Sequence, residues 1–391
     1  MKTKLFLISM LVIFGLSVNA QWQQTSPDSI SASCFAISGN KIFAGTYDEG
    51  VFLSYNNGVN WTPCGVATWK IVYALAISDS NIYAAMDNFY GGDIVLTSNN
   101  GSSWSEMHGL LPDNFYYAVT VKDSNIYVAI SDEIFLSSNN GGTWTTIDNY
   151  STGAHIKSLV ISDSNIFVLS NGDLYLSSNN GGSWDTINIG LPTGNTASVQ
   201  TIAVSNGNIY AATYGNGVFK SSNNGSSWTA INTGITNDTV LSLAIKGDTI
   251  FAGSLDGVYF SSDNGSSWKL LNYGFPVNTQ VFALAISDSN VFAGTANNGI
   301  WKMALSNVGI KEINNNESNL TVYPNPATDE LTIKSLQKST MVIIDIQGQT
   351  ILQQSLQQGK TDIDISGLAK GVYILRLCSN DKTEVERIVK E

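Results

Sequence analysis

One octapeptide recurs along this chain at nearly constant intervals. It reads SSNNGGSW at residues 177–184. The intervals between the tryptophans that end its copies are 43, 40, 40, 44 and 40 residues. Self-similarity at such a period predicts one supersecondary unit per repeat, stacked so that neighbouring units bury each other's apolar faces. The six copies end at Trp61, Trp104, Trp144, Trp184, Trp228 and Trp268.

A second repeated phrase precedes the octapeptide and occurs seven times. It consists of an apolar run, a polar turn and another apolar run, as in ALAISDSNIYAA at 74–85 and SLAIKGDTIFAG at 242–253. Short apolar runs bounded by Gly, Asn, Asp and Ser are typical of strands joined by tight turns. With the strands on either side of the octapeptide, each unit has four strands. Four strands in about 40–45 residues predict a β-propeller blade.

The two ends of the repeat region complement each other. The seventh unit, which starts at residue 283, has a third strand at 297–306 but no octapeptide after it. Trp22 stands 39 residues before Trp61, where the repeat places the tryptophan of the missing copy. Because closing the ring hides the sheet edges, we expect the N-terminal strand to complete the last sheet. The prediction is an all-β chain with a seven-bladed propeller over residues 21–304.

The octapeptide is predicted to be a structural turn. Its Asn side chain can accept hydrogen bonds from backbone N–H groups one and two residues further on, and its Gly can adopt a left-handed conformation. Its Trp has a large apolar surface to bury. Six copies pointing in six directions around a ring cannot converge on one substrate. The turn residues are Asn56, Gly58, Trp61, Asn99, Gly101, Trp104, Asn139, Gly141, Trp144, Asn179, Gly181, Trp184, Asn223, Gly225, Trp228, Asp263, Gly265 and Trp268.

These turns resemble the Asp-box, or BNR repeat, with the pattern S-x-D-x-G-x-x-W, of sialidases, xyloglucanases and sortilin-type propellers. The resemblance covers residues 21–304 and departs from the pattern in one respect: only Asp263 keeps the acid, and the other copies have Asn. Sialidases hold the substrate carboxylate with three arginines, since a guanidinium binds a carboxylate at two points. The predicted propeller has no Arg; the two in the chain are Arg376 and Arg387. Sialidase activity is therefore excluded.

Other chemistry has weaker support in the sequence. Xyloglucanases use two carboxylates, which this chain could supply, but they resemble two seven-bladed rings with a cleft between them. His108 and His155 fall in different loops between blades, and the sequence has no Cys/His cluster, phosphate-binding glycine loop or G-x-S-x-G elbow. We predict a non-catalytic protein without cofactor or metal. The alternatives are a polysaccharide-active glycoside hydrolase and a purely structural or adhesive surface protein.

The candidate ligand-binding residues lie in the loops on the face opposite the octapeptides. These loops differ between repeats, as a binding surface requires. Aromatic side chains beside carboxylates suit stacking on sugar rings or holding a peptide. The expected partner is an extracellular glycan or protein. The predicted residues are Tyr47, Asp48, Glu49, Trp69, Asp87, Tyr90, Tyr116 and Tyr214, with Phe89 and Phe115 beside them.

The predicted propeller is strongly acidic. Residues 21–304 contain eight Lys and twenty Asp plus Glu, which gives a net charge of −12. This charge should repel nucleic acid and anionic membranes. The acids are scattered along the sequence, which is typical of a solvated surface.

The N-terminus has the pattern of a secretory signal peptide. Lys2 and Lys4 precede an apolar stretch at 5–18, and small residues ending at Ala20 provide a cleavage site. The apolar stretch is too short for a spanning helix, and no later segment is apolar enough for one. The mature chain should begin at Gln21, outside the cytoplasm.

The C-terminal segment predicts a second domain. After a polar linker at 305–318, residues 319–391 alternate strands and turns, with Gln347-Gly348 as a hairpin turn, as in a small immunoglobulin-like β-sandwich. Its motif residues are Tyr323, Pro324, Asn325, Pro326, Gly371 and Tyr373. With this motif, the segment closely resembles the type A C-terminal sorting domain of the type IX secretion system of Bacteroidota. The resemblance implies contact with that machinery and passage through the periplasm to the outer-membrane surface or the medium.

Overall fold

The computed structural model describes residues 21–65, 70–88, 91–107, 111, 115–147, 155–162, 164–192, 198–308, 321–335, 338–345, 350–378 and 383–391. The chain divides into two compact units, of which the first ends at Glu312 and the second begins at Ile313. Strands dominate both units, and the helical structure described is one 3-10 helix, Leu305–Val308. In this part of the chain, no helix has the length and apolar character needed to cross a membrane.

The strands of the first unit form four-stranded antiparallel sheets, here called blades. The short N-terminal strand is β1 (Gln23–Gln24). Blade 1 contains β2 (Ala32–Ser38), β3 (Lys41–Thr46), β4 (Val51–Ser54) and β5 (Thr62–Pro63). Blade 2 contains β6 (Ile71–Ser78), β7 (Asn81–Asn88), β8 (Gly91–Thr97) and β9 (Ser105–Glu106). Blade 3 contains β10 (Tyr116–Lys122), β11 (Asn125–Ile130), β12 (Glu133–Ser137) and β13 (Thr145–Thr146). Blade 4 contains β14 (Ile156–Ser162), β15 (Asn165–Ser170), β16 (Asp173–Ser177) and β17 (Asp185–Thr186).

The remaining blades follow the same order. Blade 5 contains β18 (Val199–Ser205), β19 (Asn208–Thr213), β20 (Gly217–Ser221) and β21 (Thr229–Ala230). Blade 6 contains β22 (Val240–Lys246), β23 (Thr249–Ser254), β24 (Gly257–Ser261) and β25 (Lys269–Leu270). Blade 7 contains β26 (Val281–Ile286), β27 (Asn290–Thr295) and β28 (Ile300–Ala304), and β1 is its fourth strand.

The described strands of this unit thus make seven sheets, and their order closes on itself. The first strand of each blade contacts the first strand of the next, and β26 contacts β2. The second strands are deeply buried; β11, β19 and β23 are buried at every position after the first. Strands covered on both faces by neighbouring sheets carry near-continuous apolar runs, which is why these strands read IYVAI or IYAAT.

The predicted pairing of the N-terminal strand with the last sheet is confirmed. Gln23 pairs with Lys302 and Gln24 with Trp301 in an antiparallel register. Trp22 is 1% exposed, stacks on Phe275 with ring centroids 4.7 Å apart, and donates its indole N–H to the Leu271 carbonyl at 2.7 Å. Residues from the two ends of the repeat region therefore share one core.

Five tryptophans link their blade to the one before it through a repeated hydrogen bond. In each of five cases the indole N–H donates to a residue that stands three positions after the tryptophan of the preceding blade. The series continues across the junction of the chain ends, because Trp22 and Thr25 occupy the donor and acceptor positions of blade 7. The pairs are Trp22 with Leu271, Trp61 with Thr25, Trp104 with Cys64, Trp228 with Ile187, and Trp268 with Ile231.

The octapeptide turns share one hydrogen-bond pattern, represented by residues 137–144. The buried Ser137 hydroxyl donates to Asn139 Oδ1 at 2.9 Å and accepts the Gly141 N–H at 2.8 Å. Asn139 Oδ1 also accepts the Thr143 N–H at 2.8 Å, four residues on. The predicted hydrogen bonds to the Asn side chain from the N–H groups one and two residues further on are therefore wrong. The left-handed Asn140 and Gly141 (φ 56° and 84°) fold the chain back, so the N–H group four residues on reaches that side chain instead.

One of these turns predicts an acid sensitivity that the others lack. Hydrogen bonds from Ser267 and Ser261 lower the pKa of Asp263 from 3.8 to about 2. Because the folded-state pKa lies below the unfolded-state value, this carboxylate stabilises the fold above about pH 4, and the contribution is lost as the pH falls towards 2. We expect Asp263→Asn to reduce the drop in thermal midpoint between pH 5 and pH 2.5, and Asn223→Asp to enlarge it. An unchanged pH dependence in both variants would contradict this account.

The second unit has two antiparallel sheets that share one apolar core. One sheet has the order β29 (Thr321–Tyr323), β30 (Glu330–Ser335), β33 (Gly359–Asp364). The other has the order β32 (Thr350–Leu356), β31 (Ser339–Ile344), β34 (Gly371–Cys378), β35 (Thr383–Lys390). The core between them includes Leu331, Ile343 and Leu375, each fully buried. The predicted hairpin turn at Gln347-Gly348 lies outside the described residues.

The motif residues of this unit tie its N-terminal segment to its last strand. Asn325 Oδ1 accepts the Val389 N–H at 3.0 Å, and the Ala327 N–H donates to the Val389 carbonyl at 2.8 Å. Tyr373 is buried and donates its hydroxyl to the Ala369 carbonyl at 2.9 Å. Tyr373 is therefore part of the packing of this unit, whereas residues 323–326 are exposed and Asn325 reaches the last strand through a hydrogen bond.

The region predicted as a linker begins with ordered structure. Leu305 is 1% exposed and packs in the core of blade 7, and the 3-10 helix continues to Val308. The packed part of the first unit therefore extends four residues beyond 304.

Candidate functional site

The two faces of the propeller carry different structures. The turns that join the first to the second strand and the third to the fourth strand of each blade lie on one face, together with the octapeptides. The loops from second to third strand, and from each blade to the next, lie on the other, which we call the loop face. On the loop face the centre of the ring opens into a cavity of about 1420 Å³, lined by the beginnings of the first strands.

Every first strand carries a β-bulge at the same point, close to this opening. In β6 the register shifts between Val72 and Ala74, so Tyr73 is the extra residue. A bulge leaves one residue outside the ladder and re-aims its side chain. All seven bulge residues line the cavity, and we call them the bulge ring. They are Ser33, Tyr73, Tyr117, Lys157, Gln200, Leu241 and Phe282.

The residues flanking each bulge are uniform, whereas the bulge residues vary. The preceding residue is apolar and at most 1% exposed, as Val72, Ile156 and Val281 illustrate. The following residue is small, as are Ala74 and Ser158. A fixed frame that presents one variable side chain per blade is the arrangement expected of a recognition site.

Aromatic side chains cover one side of the cavity. Tyr73 and Tyr117 make an edge contact with ring centroids 5.3 Å apart, and Tyr117 also contacts His155 at 5.4 Å. Near the start of the ring, Tyr47 makes an edge contact with Phe282 at 6.1 Å. We call these five residues the aromatic wall. Tyr47 is 40% exposed and Tyr73 36%, so part of each ring is available to a ligand.

The phenol groups of this wall lie in a partly desolvated environment. Burial raises the pKa of Tyr47, Tyr73 and Tyr117, and the Asp87 carboxylate raises the pKa of Tyr73 and Tyr117 further. Asp87 is 6% exposed and pairs with Ile71 in the sheet of blade 2. These hydroxyls therefore stay protonated near neutral pH and can donate hydrogen bonds to a ligand.

Polar side chains cover another side of the cavity. Lys157 donates an N–H of its ammonium to Gln200 Oε1 at 2.6 Å. The Gln200 amide in turn donates to the hydroxyl and the carbonyl of Ser198, at 2.9 and 3.2 Å. Lys157 is the only charged member of the bulge ring, and desolvation lowers its pKa. The hydrogen bonds to Ser198 hold the amide, and through it the ammonium, at the edge of the cavity.

The predicted binding residues are only partly gathered here. Tyr47 lines the cavity, and Asp87 lies beside its aromatic wall. Asp48 and Glu49 follow Tyr47 in the loop between β3 and β4, and the Glu49 N–H donates to the buried Thr46 hydroxyl. They are not among the residues that line the cavity. Trp69, Phe89 and Tyr90 lie outside the described residues.

Two predicted residues have different surroundings from those expected. Tyr116 is 1% exposed and packs in the core between blades 2 and 3, because it stands one position before the bulge. Its neighbour Tyr117 is the residue that lines the cavity. Tyr214 is 47% exposed on the loop face of blade 5 but does not line the cavity. Phe115 is 38% exposed and stacks beside Tyr117 at 6.3 Å.

Sequence reasoning did not identify Tyr73, Tyr117, Lys157 or Gln200 as site residues. A signal for them is nevertheless present in the repeats. When the seven phrases are aligned on ALAIS, the bulge column contains Ser, Tyr, Tyr, Lys, Gln, Leu and Phe, between an apolar column and a column of small residues. Variation at one column inside a strand marks a position released from packing.

The chemistry available in the cavity favours binding. Asp173 is the one carboxylate among the described residues that line it, and its Oδ1 accepts a hydrogen bond from the Asn188 amide at 2.7 Å. In the described ranges, no three His, Cys, Asp or Glu side chains cluster as metal ligands. Aromatic faces, amides, hydroxyls and one ammonium suit recognition of a ligand by stacking and hydrogen bonds.

Two family models match separate parts of the chain. Residues 321–391 match the secretion system C-terminal sorting domain, and residues 116–238 match the DUF6242 beta propeller domain. The chain therefore carries a type IX secretion sorting domain behind a propeller, which indicates export to the cell surface or the extracellular space. No curated protein matches the sequence significantly.

Solved structures with the same fold are distant in sequence. YCF48 from Cyanidioschyzon merolae is 15% identical, with a TM-score of 0.58 over 73% of this chain and 98% of that one. The extracellular domain of BT4673 from B. thetaiotaomicron is 14% identical, with a TM-score of 0.61 over 82% and 45%. The GH74 xyloglucanase from Xanthomonas campestris is 13% identical, with a TM-score of 0.58 over 81% and 59%. At such identities the likeness concerns the propeller fold alone.

Proposed function

We propose that this chain is a non-catalytic propeller, secreted or displayed on the cell surface, which binds a glycan or protein partner in the loop-face cavity. Its signal peptide would direct it to the periplasm and its sorting domain to the type IX machinery. The observation that carries the proposal is the bulge ring: seven strands of nearly one sequence present side chains of six different types to one cavity. Packing alone gives no reason for that variation.

Two further observations support a binding role. The cavity is larger than the roughly 300–1,000 Å³ typical of small-molecule pockets, so a segment of a polymer fits it better than a single metabolite does. In addition, a structure with the same fold is described as YCF48 bound to D1 peptide, at 12% identity and a TM-score of 0.58. That ligand belongs to YCF48. For this chain, the likeness is the reason that the proposal includes a protein partner as well as a glycan.

The lack of a paired acid supports the non-catalytic part of the proposal. Glycosidases place two carboxyl groups about 5–9.5 Å apart around the scissile bond. Asp173 has no second carboxylate beside it among the described residues that line the cavity. The Asp-box-like turns lie on the opposite face and take no part in the site.

A binding screen tests the proposal. The mature chain, residues 21–391, should retain ligands from a glycan array or a pull-down of extracellular material. Tyr73→Ala combined with Tyr117→Ala should weaken binding about 30- to 150-fold, because two ring faces are lost at roughly 1–1.5 kcal/mol each. Affinity is measured by calorimetry on the best ligand from the screen.

The matched control is Tyr214→Ala, which removes an exposed tyrosine of the same face that does not line the cavity. This variant should bind like the parent. Equal affinities of the parent and the double variant would locate the ligand elsewhere. Release of shorter saccharides from a bound glycan would overturn the non-catalytic proposal.

A further inference from the structure

The bulge ring has one charged member, and its charge is not balanced by the protein. Lys157 gives one N–H to a neutral amide, that of Gln200. Within the described part of the chain, no carboxylate lies at ion-pair distance from it. The Lys157 side chain is exposed, although partial desolvation lowers its pKa. Its two remaining N–H donors are therefore open to a ligand oxygen with negative charge.

The position of Lys157 around the ring adds a second constraint. Blade 4, which carries Lys157, stands opposite the junction of blades 7 and 1 in the closed order of seven. That junction carries Phe282 and Tyr47. A ligand that spans the cavity can therefore contact an aromatic face on one side and the ammonium on the other.

The overall charge of the propeller limits how many negative groups that ligand can carry. Residues 21–304 have a net charge of −12, which disfavours a polyanion. A single ammonium can compensate one carboxylate. The ligand therefore needs isolated acidic groups on an otherwise neutral framework.

The strand geometry favours a saccharide over an extended peptide. Peptides that add to a sheet need a continuous strand edge for main-chain hydrogen bonds. At the opening of this cavity all seven first strands are bulged, so the ladder is interrupted where such a peptide would enter. Tyrosine rings, amides and hydroxyls instead match the apolar faces and hydroxyl groups of sugar rings.

We infer that the loop-face cavity recognises an acidic glycan, with the carboxylate of one uronic acid held by Lys157, which Gln200 positions, and neighbouring sugar rings stacked on the aromatic wall. This inference rests on the proposed function and assigns its ligand class. Lys157 is then the residue that discriminates acidic from neutral saccharides.

The test compares ligands that differ only in charge. The mature chain is titrated with a panel of tri- and tetrasaccharides that each carry one uronic acid, and with the methyl ester of each. At least one acid should bind about tenfold more tightly than its ester, since hydrogen bonds to a charged group contribute more than neutral ones. Added salt should weaken binding of the acid but not of the ester.

Variants assign the difference to Lys157. Lys157→Met should bring the acid to the affinity of its ester and leave the ester unchanged. The control Lys269→Met removes an exposed lysine on the outermost strand of blade 6 and should keep the preference. Circular dichroism and the thermal midpoint verify that each variant is folded.

Three outcomes overturn the inference, and they separate it from the proposed function. If acid and ester bind equally, or if Lys157→Met keeps the preference, the assignment of Lys157 is wrong while the cavity remains a binding site. If peptides bind in a way that Tyr117→Ala abolishes and no saccharide binds, the glycan class is wrong and the proposed function stands. If neither saccharides nor peptides bind the cavity, the proposed function fails as well.

Discussion

Trp22→Ala should lower the free energy of unfolding of the propeller by about 3–5 kcal/mol. The indole is 1% exposed, stacks on Phe275 at 4.7 Å and donates to the Leu271 carbonyl. Phe275 also contacts Trp301 at 5.2 Å, so the loss opens a space in a cluster to which both chain ends contribute. The measurement is the denaturant midpoint, followed by intrinsic fluorescence and circular dichroism.

Two companion variants separate packing from hydrogen bonding. Trp22→Phe keeps most of the stacking and loses the N–H donor, so it should cost about 1–2 kcal/mol. Gln23→Ala changes an exposed side chain of the same strand and should leave the midpoint unchanged, because its backbone pairing with Lys302 remains. If Trp22→Ala unfolds at the denaturant concentration of the parent, the N-terminal strand does not contribute to closing the ring.

The architecture could be predicted from the sequence because repetition averages out local ambiguity. A single run such as SLVIS at 158–162 is compatible with a strand or with a buried helix segment. Seven similar runs at one period, each followed by a polar turn, fit only a repeated sheet. The position of Trp22 then specified how the two ends meet, and the pairing of Gln23 with Lys302 is the result.

The site could not be predicted in the same way, since it depends on a break in the regular pattern. Strict alternation along β10 would assign Tyr116 and Tyr117 to opposite faces without saying which faces the ring centre. The bulge between Tyr116 and Ala118 removes one residue from the ladder and directs Tyr117 into the cavity. The sequence analysis instead selected aromatic residues in the loops as ligand-binding residues. Tyr214 is one of them, and it is exposed without lining the cavity.

The sequence predicted which residues form the octapeptide turn, but not which backbone N–H groups they bind. The sequence identified Asn139 as a side-chain acceptor and Gly141 as left-handed, and Gly141 has φ 84°. The sequence also predicted that the serine hydroxyl caps local backbone groups, and the Ser137 hydroxyl accepts the Gly141 N–H; its donation to Asn139 Oδ1 was not predicted. A hydroxyl that both donates and accepts within one turn depends on side-chain orientation, which a sequence pattern does not specify.

Deletion of residues 319–391 should abolish export of the propeller and trap it in the periplasm. The described residues of the propeller end at Val308, and each unit has an apolar core of its own, so the deletion leaves the propeller's packing intact. The sorting domain would be the only part addressed to the type IX machinery. Cell fractionation and protease accessibility on intact cells measure the distribution, with the full chain as reference.

Degradation of the truncated protein could also remove it from the medium, so a fusion protein provides an independent test of the sorting domain. Residues 309–391 appended to a periplasmic reporter should carry it to the cell surface or the medium. A matched fusion with Leu375→Asp, which places a charge at a fully buried position of the core, should remain inside because a buried unpaired charge unfolds the domain. Val372→Asp, at a position 42% exposed, should still be exported. Export of the truncated propeller at the level of the full chain would refute the role assigned to this domain.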